Sequence, residues 1–192
     1  MNVTIRPENK SEFDAIDVLV TNSFKYGTPY SDGTAEINLI HEIRSKQYYI
    51  PELSFVTECD NKIVGHFMLS HFPLSQSPDY SNYDKAQIKT DVLMLTPVAV
   101  KIDCLRKGIG TSMLLQGIKW AKQLGYKAII VEGNPAFYNT LGFVSSYKCN
   151  VFPANSTSLP SPDCLMIQML GNQKFDSKYY VEYSMYDTIY HP

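Results

Sequence analysis

Between an apolar run and an amphipathic helical pattern the chain reads Arg106-Lys107-Gly108-Ile109-Gly110-Thr111, and few folds place two glycines at such a junction. Upstream, Val92–Val100 is apolar and β-branched, interrupted by Pro97. That predicts a strand with a bulge or an edge at the proline, which has no N–H to give a ladder. Downstream, Ile109, Met113, Leu114, Gly117, Ala121 and Leu124 recur at helical spacing and Gly125 follows as a cap, so the spacing predicts a helix over 109–124. A strand, a glycine loop and a helix in that order aim unpaired N–H groups and the positive end of the helix dipole at the loop. The missing side chains let anionic oxygens approach. The unit is a predicted phosphate site, and Arg106 and Lys107 add positive charge. Gly-x-Gly alone also serves simple turn geometry. A dinucleotide loop would have a third glycine where Met113 stands, and a nucleoside triphosphate loop would end in Gly-Lys-Ser/Thr, so both nucleotide folds are disfavoured.

The remaining pattern alternates strands and helices. Residues 3–6 read as a strand, and Ser11 with Asp14 as a capping box ahead of Phe13, Ile16, Val20 and Phe24 at helical spacing. After the turn-rich stretch 26–34, Leu39, Ile40 and Ile43 mark a second helix. Residues 53–59 and 63–72 read as a hairpin across Asp60, Asn61 and Lys62, followed by a long polar loop over 73–89. Residues 127–131 form the next predicted strand. Asn134 and Pro135 cap and start a short helix carrying Phe137, Tyr138 and Leu141, which Gly142 closes before a strand near Phe143. A loop over 152–163, a strand over 164–170 and a tyrosine-rich tail with a last helix complete the expectation. The loops 26–34, 73–89 and 152–163 are the predicted mouth of an acceptor site, because loops commonly carry specificity.

Composition removes several classes. With 44% hydrophobic, 12% aromatic and 19% charged residues in 192, and no repeat or linker, the chain reads as one packed domain over 1–192, with 170–192 as a C-terminal extension. A net charge of -2 gives no positive field for nucleic acid. No leader pattern opens the sequence and no apolar stretch is long enough for a bilayer, so neither a membrane nor secretion is expected and the expected location is cytoplasmic. Cys59, Cys104, Cys149 and Cys164 form no Cys-x-x-Cys pair and have no histidine at ligand spacing, which predicts reduced thiols and no metal. The glycosylation patterns at Asn2, Asn9 and Asn155 carry no meaning without a secretory signal.

Taken jointly and in order, Leu95 to Val100, Arg106 to Gly110, Gly133-Asn134-Pro135-Ala136-Phe137-Tyr138 and Gly142-Phe143 resemble the GNAT superfamily of acyl-CoA-dependent N-acyltransferases across most of the chain. Gly65-His66, residues 162–170 and Val181-Glu182-Tyr183 extend the likeness to a branch of predicted acetyltransferases with a C-terminal extension. The resemblance implies an α/β fold with a mixed, mainly antiparallel sheet, flanking helices and a splayed pair of central strands. It implies acetyl-CoA as co-substrate. The pyrophosphate would lie over Arg106, Lys107, Gly108, Ile109, Gly110 and Thr111, the pantetheine arm would pair along Val98, Ala99 and Val100 like an added strand, and Asn134 would join the coenzyme contacts. The chain departs from the family motif at Leu105, where a glutamine or arginine is usual.

The implied reaction moves an acetyl group to a primary amine of a small molecule or peptide by direct attack in a ternary complex. It needs a neutral amine, a polarised carbonyl and a protonated leaving group. The N–H of Val98 or Ala99 can polarise the carbonyl. Tyr138 resembles the family's proton donor; without the motif, beside Phe137, it would read equally as a core aromatic. Glu132, at a strand end, is the first candidate base, and it also reads as a solvated strand-end acid. His66 is the second, with strand alternation setting it opposite His71. Cys104 has no base partner, so no covalent intermediate is expected. A homodimer is among the expected assemblies. A catalytically silent acyl-CoA-binding module is the alternative, and thioester turnover separates the two. Gly110→Val is expected to abolish acetyl-CoA binding in a calorimetric titration while leaving the circular dichroism of the fold intact; unchanged affinity would remove the loop from the coenzyme site.

Overall fold

The computed structural model describes residues 3–79, 88–89, 91–155, 157–171 and 174–183. Residues 80–87 of the loop expected over 73–89, and the part of the tyrosine-rich tail beyond Tyr183, lie outside them. Strand β1 (Val3–Pro7) leads into a capping box formed by Asn9 and Glu12, not by Ser11 and Asp14. The Asn9 side chain accepts from Ser11 N at 3.1 Å, and Glu12 Oε2 accepts from Asn9 N at 2.8 Å. Asn9 wins because its backbone is extended, at φ -117° and ψ 146°, as a cap requires. A 3-10 turn then runs on into α1 (Phe13–Gly27). Helix α2 (Thr34–Ser45) starts after Gly33, whose φ of +89° and close approach to Thr21 leave no room for a Cβ.

The expected hairpin is β2 (Ser54–Cys59) and β3 (Lys62–His71), joined by Asp60 and Asn61 at φ 49° and 62°. The chain continues through β4 (Leu74–Ser75), β5 (Ile88–Lys89), β6 (Val92–Val100), α3 (Ile109–Gln123), β7 (Ala128–Glu132), α4 (Pro135–Tyr138), β8 (Val144–Ser145), β9 (Val151–Pro153), β10 (Leu165–Met169) and β11 (Tyr179–Val181). A seven-stranded sheet has the order β1-β2-β3-β6-β7-β10-β8, and a four-stranded sheet the order β5-β4-β11-β9. The architecture is a mixed, mainly antiparallel sheet with flanking helices. Within the tyrosine-rich tail, for which a last helix was expected without fixed bounds, Tyr179–Val181 form β11, parallel to β9 and antiparallel to β4. The run Tyr-Tyr-Val has the aromatic and β-branched side chains that suit a pleated strand. Strand β9 likewise takes the first residues of the loop expected over 152–163.

The fold resolves into two compact units, one from the described residues of Met1–Ser70 and Leu95–Trp120, the other from those of His71–Met94 and Ala121–Asp187. In the first, α3 packs on the sheet face that carries Phe55, Thr57, Gly65 and Phe67. Thr57 Oγ1 lies 3.6 Å from Met113 Sδ, and Phe55 stacks on Phe67 and meets Trp120 at a tilt, each at 4.9 Å between ring centroids. A Cβ on Gly117 would fall 2.6 Å from the Phe67 ring, so this helix comes close because that residue is glycine.

The opposite face of that unit buries a charge. Glu8, whose side chain is 0% exposed, accepts from Arg44 Nη2 at 2.7 Å and Nε at 3.1 Å, from the Tyr49 hydroxyl at 2.9 Å and from His66 Nε2 at 2.9 Å. The Arg44 guanidinium also lies 3.6 Å over the Phe13 ring. Burial alone would push the Glu8 carboxyl up, but the hydrogen bonds from His66 and Arg44 override it and hold the group down to about 2. Burial drives His66 the other way, toward the neutral form. The contact is therefore a hydrogen bond from Nε2–H to a carboxylate, and Nδ1 is left buried without a partner among the described residues.

In the second unit the parallel β6–β7 ladder registers Val92 with Ala128, Leu93 with Ile129 and Met94 with Ile130, and it ends there, as a splayed pair requires. Strand β7 pairs along its whole length with β10, from Ala128 opposite Met169 to Glu132 opposite Leu165. No helix among the described residues is long and apolar enough to cross a membrane.

Because the Glu8 pKa is depressed in the fold, its stabilisation is fully present above the ordinary value of 4.5 and is lost as pH falls from there toward about 2. A shift of that size corresponds to about 3 kcal/mol. Urea unfolding of the protein between pH 6 and pH 2 is expected to lose about that much more stability than unfolding of Glu8→Gln, and parallel curves would show that Glu8 is not the linked group.

Candidate active site

The glycine loop has the local structure that its sequence predicts. Where β6 ends, Lys101 N donates to Val64 O at 2.8 Å, and a 3-10 turn over Ile102–Cys104 closes with Leu105 N on Ile102 O at 3.1 Å. Arg106 and Gly108 then take left-handed conformations, at φ 58° and 79°. Ser112 N donates to Gly108 O at 2.9 Å as α3 begins, so the N–H groups of Ile109, Gly110 and Thr111 precede the first helical donor. A Cβ on Gly108 would meet no atom within 4 Å, which means that its glycine serves backbone geometry and the space over the loop is open. Leu105, Arg106, Lys107 and Gly108 are all exposed. The loop fits a phosphate-bearing ligand: donors, two cations and room.

Val98, Ala99 and Val100 complete β6 in the same unit, with Ala99 buried and its neighbours half-buried. The Val100 carbonyl already accepts from Ser23 Oγ at 3.1 Å, so one of its lone pairs is committed to α1. Thr96 Oγ1 is buried without a partner among the described residues.

The second unit holds Glu132, Asn134 and Tyr138. Asn134 Oδ1 accepts from Ala136 N at 2.9 Å, so its oxygen serves as the cap of α4 and only its amide NH₂ remains for other contacts. Tyr138 is 9% exposed. Its ring meets Phe137 and Phe143 edge-on, with centroids 5.0 Å and 5.6 Å away, and lies directly against Gly133. Burial pushes its hydroxyl up to about 12, above the ordinary tyrosine value near 10 expected from sequence. Glu132 is half-buried at the end of β7. Burial pushes its carboxyl up, and the nearby Tyr183 hydroxyl acts in the opposite direction. Cys164 lies close enough for burial and the Glu132 charge to raise its thiol.

His66 is not available as a base. It is fully buried and tied to Glu8, because strand alternation turns it toward α2 and the Arg44 cluster. His71, half-buried beside Tyr126 at 5.9 Å, is the last residue of β3. Sequence reasoning did not assign a role to Tyr183; its only signal was its place in the segment Val181-Glu182-Tyr183. Among the described residues no group of histidine, cysteine and acidic side chains could hold a metal ion.

The chain matches the profile of the Acetyltransferase (GNAT) family over residues 22–143. It is 24% identical over 139 residues to the uncharacterized N-acetyltransferase YhbS of Escherichia coli K12, with 72% of each chain covered. Among solved structures it is similar to Escherichia coli YhbS in complex with CoA, at 20% identity and a TM-score of 0.72 over 95% of this chain and 91% of that one. It is also similar to a GNAT family acetyltransferase of Brucella melitensis in complex with acetyl-CoA, at 16% identity and a TM-score of 0.70 over 94% and 96% of the two chains.

The Tyr138 ring sits where a side chain on residue 133 would have to go. Gly133→Ala is expected to displace that ring and destabilise the fold by about 1–3 kcal/mol, read by urea unfolding. A crystal structure of the variant with the ring unmoved would show that Gly133 does not set its position.

Proposed function

Because the chain belongs to the GNAT acetyltransferase family, we propose that it is an acetyl-CoA-dependent N-acetyltransferase acting on a primary amine of a small molecule or peptide. The observation that carries this reading is the left-handed Gly108 turn, open above and followed by the N–H groups of Ile109 to Thr111 that precede the first helical donor of α3. Arg106 to Thr111 hold the pyrophosphate, Val98 and Ala99 offer main-chain groups to the pantetheine arm, and the Asn134 amide adds a contact. The CoA and acetyl-CoA complexes of the two similar structures support the choice of coenzyme.

Glu132 takes a proton from the acceptor ammonium. Its raised pKa makes it a better base near neutral pH than an ordinary carboxylate. The freed amine attacks the thioester carbonyl, which an N–H of Val98 or Ala99 polarises. As the C–S bond breaks, Tyr138 gives its proton to the sulfur and recovers one from solvent. Against a thiol near 8.5 the donor is uphill by roughly 3.5 units instead of 1.5, but a thiolate leaving into the same dry surroundings is itself harder to form. The stretch 26–34, expected as part of the acceptor mouth, borders an open depression of about 600 Å³ lined by Lys25, Thr28, Pro29, Tyr30, Ser31 and Asp32. Leu105, 45% exposed at the family's glutamine or arginine position, favours a second reading, a coenzyme-binding module without turnover.

The test is release of free thiol from acetyl-CoA with a panel of amines, polyamines, amino acids and peptides. Tyr138→Phe is expected to lower saturated turnover by roughly 10²- to 10⁴-fold with acetyl-CoA affinity nearly unchanged. Parent-like turnover would make Tyr138 a packing residue. Coenzyme binding with no thiol release from any amine would favour the silent module.

A further inference from the structure

Of the nine side chains of β6, Thr96 alone is polar. The residue is half-buried, yet its Oγ1 is enclosed and meets no partner among the described residues. A buried hydroxyl left so costs free energy comparable with a lost hydrogen bond, and a β-branched apolar residue would fill the same place in the strand without that cost. Valine already stands at three other positions of β6. The β6–β7 ladder ends with Met94 opposite Ile130, so Thr96 lies two residues into the part of β6 that β7 no longer accompanies. From there burial alternates: Thr96, Val98 and Val100 are half-buried, Pro97 and Ala99 buried. Alternate residues of a strand share a face, so Thr96 begins a half-open stripe that Val98 and Val100 continue toward the glycine loop.

We propose that the Thr96 hydroxyl binds the acceptor: its Oγ1 accepts an N–H of the amine and so turns the nitrogen lone pair toward the thioester. This rests on the reading of Val98 to Val100 as the coenzyme strand. With the pyrophosphate on the glycine loop and the pantetheine arm along Val100 and Val98, the acyl group ends near Val98. Thr96 comes next, roughly 7 Å farther along the strand. An attacking amine must come within about 3–3.5 Å of the thioester carbon, and it arrives from beyond the end of the coenzyme. The polar side chain it meets on this stripe is Thr96. A neutral primary amine has an N–H to give while its lone pair stays free for attack. The hydroxyl takes up no proton and forms no bond to the acyl group.

The experiment measures thiol release from acetyl-CoA for the parent, Thr96→Val and Thr96→Ser, using the amine of the panel that the parent turns over fastest, together with calorimetric titration of acetyl-CoA and urea unfolding. Thr96→Val keeps the branched shape and removes the hydroxyl. Its KM for the amine is expected to rise about tenfold, the worth of one hydrogen bond. Acetyl-CoA affinity should stay unchanged, and the urea midpoint unchanged or higher, because no internal partner is lost. Thr96→Ser, which keeps the hydroxyl, is expected to return KM to within about threefold of the parent. An unchanged KM in Thr96→Val would overturn the proposal. An equal rise in both variants would overturn it too, since the methyl group would then be what matters. Weaker acetyl-CoA binding or a lower urea midpoint in Thr96→Val would assign the hydroxyl to the coenzyme or to the fold instead. Failure of the underlying reading looks different: a parent that binds no acetyl-CoA, or binds it and releases no thiol with any amine, would sink that reading and this proposal together.

Discussion

A carboxylate that water does not reach organises the first unit. Glu8 sits just beyond β1, and its ligands come from α2, from the segment before β2 and from the middle of β3. A charge buried without partners costs several kcal/mol, and removing one partner of a buried pair costs about 3–5 kcal/mol. The cluster is therefore stable only when all three donors arrive together, which ties the ends of elements far apart in sequence to a single arrangement. Arg44 adds a second constraint, because its guanidinium must also lie flat over Phe13 at the start of α1. With α1 set, Ser23 reaches the Val100 carbonyl, and the end of β6 is held where the glycine loop departs.

The other side of that loop is positioned by what is missing. A Cβ on Gly65 would fall 2.9 Å from Met113 Sδ, and one on Gly117 would enter the Phe67 ring. Two glycines, one on a strand and one on the helix, thus let α3 settle against β2 and β3 at short range. Its N-terminus then follows directly from the short turn that starts at Lys101. The anion site is accordingly a product of close packing along the body of α3 as much as of the Gly108 turn itself. The loop residues contribute little burial, being exposed from Leu105 to Gly108, so their geometry depends on the anchors at either end.

What the sequence made legible was whatever local spacing encodes. The α3 periodicity, the Asp60-Asn61 turn, the Asn134-Pro135 start and the Gly142 stop each depend on neighbours within a few residues. The capping box was displaced to Asn9 and Glu12 because two overlapping patterns compete there and backbone conformation decides between them. Strand β11 was missed because Tyr-Tyr-Val is too short to show a period, and its partners β4 and β9 are themselves brief. His66 looked like a candidate base because it carries the right chemistry on a strand. Only the tertiary contact with Glu8 shows it committed elsewhere.

Burial acts on the two proposed proton carriers in opposite chemical senses. It raises both pKa values, since each group is disfavoured in its charged form. For Glu132 that is an improvement, because a carboxylate of ordinary acidity is a weak base toward an ammonium. For Tyr138 it is a loss of acid strength, because a phenol held near 12 gives up its proton less readily. The loss matters only relative to the group that receives the proton, and a thiolate formed in surroundings equally poor in water is destabilised as well. What a dry site must preserve is the match between donor and acceptor, while the base has to stay ionised within it.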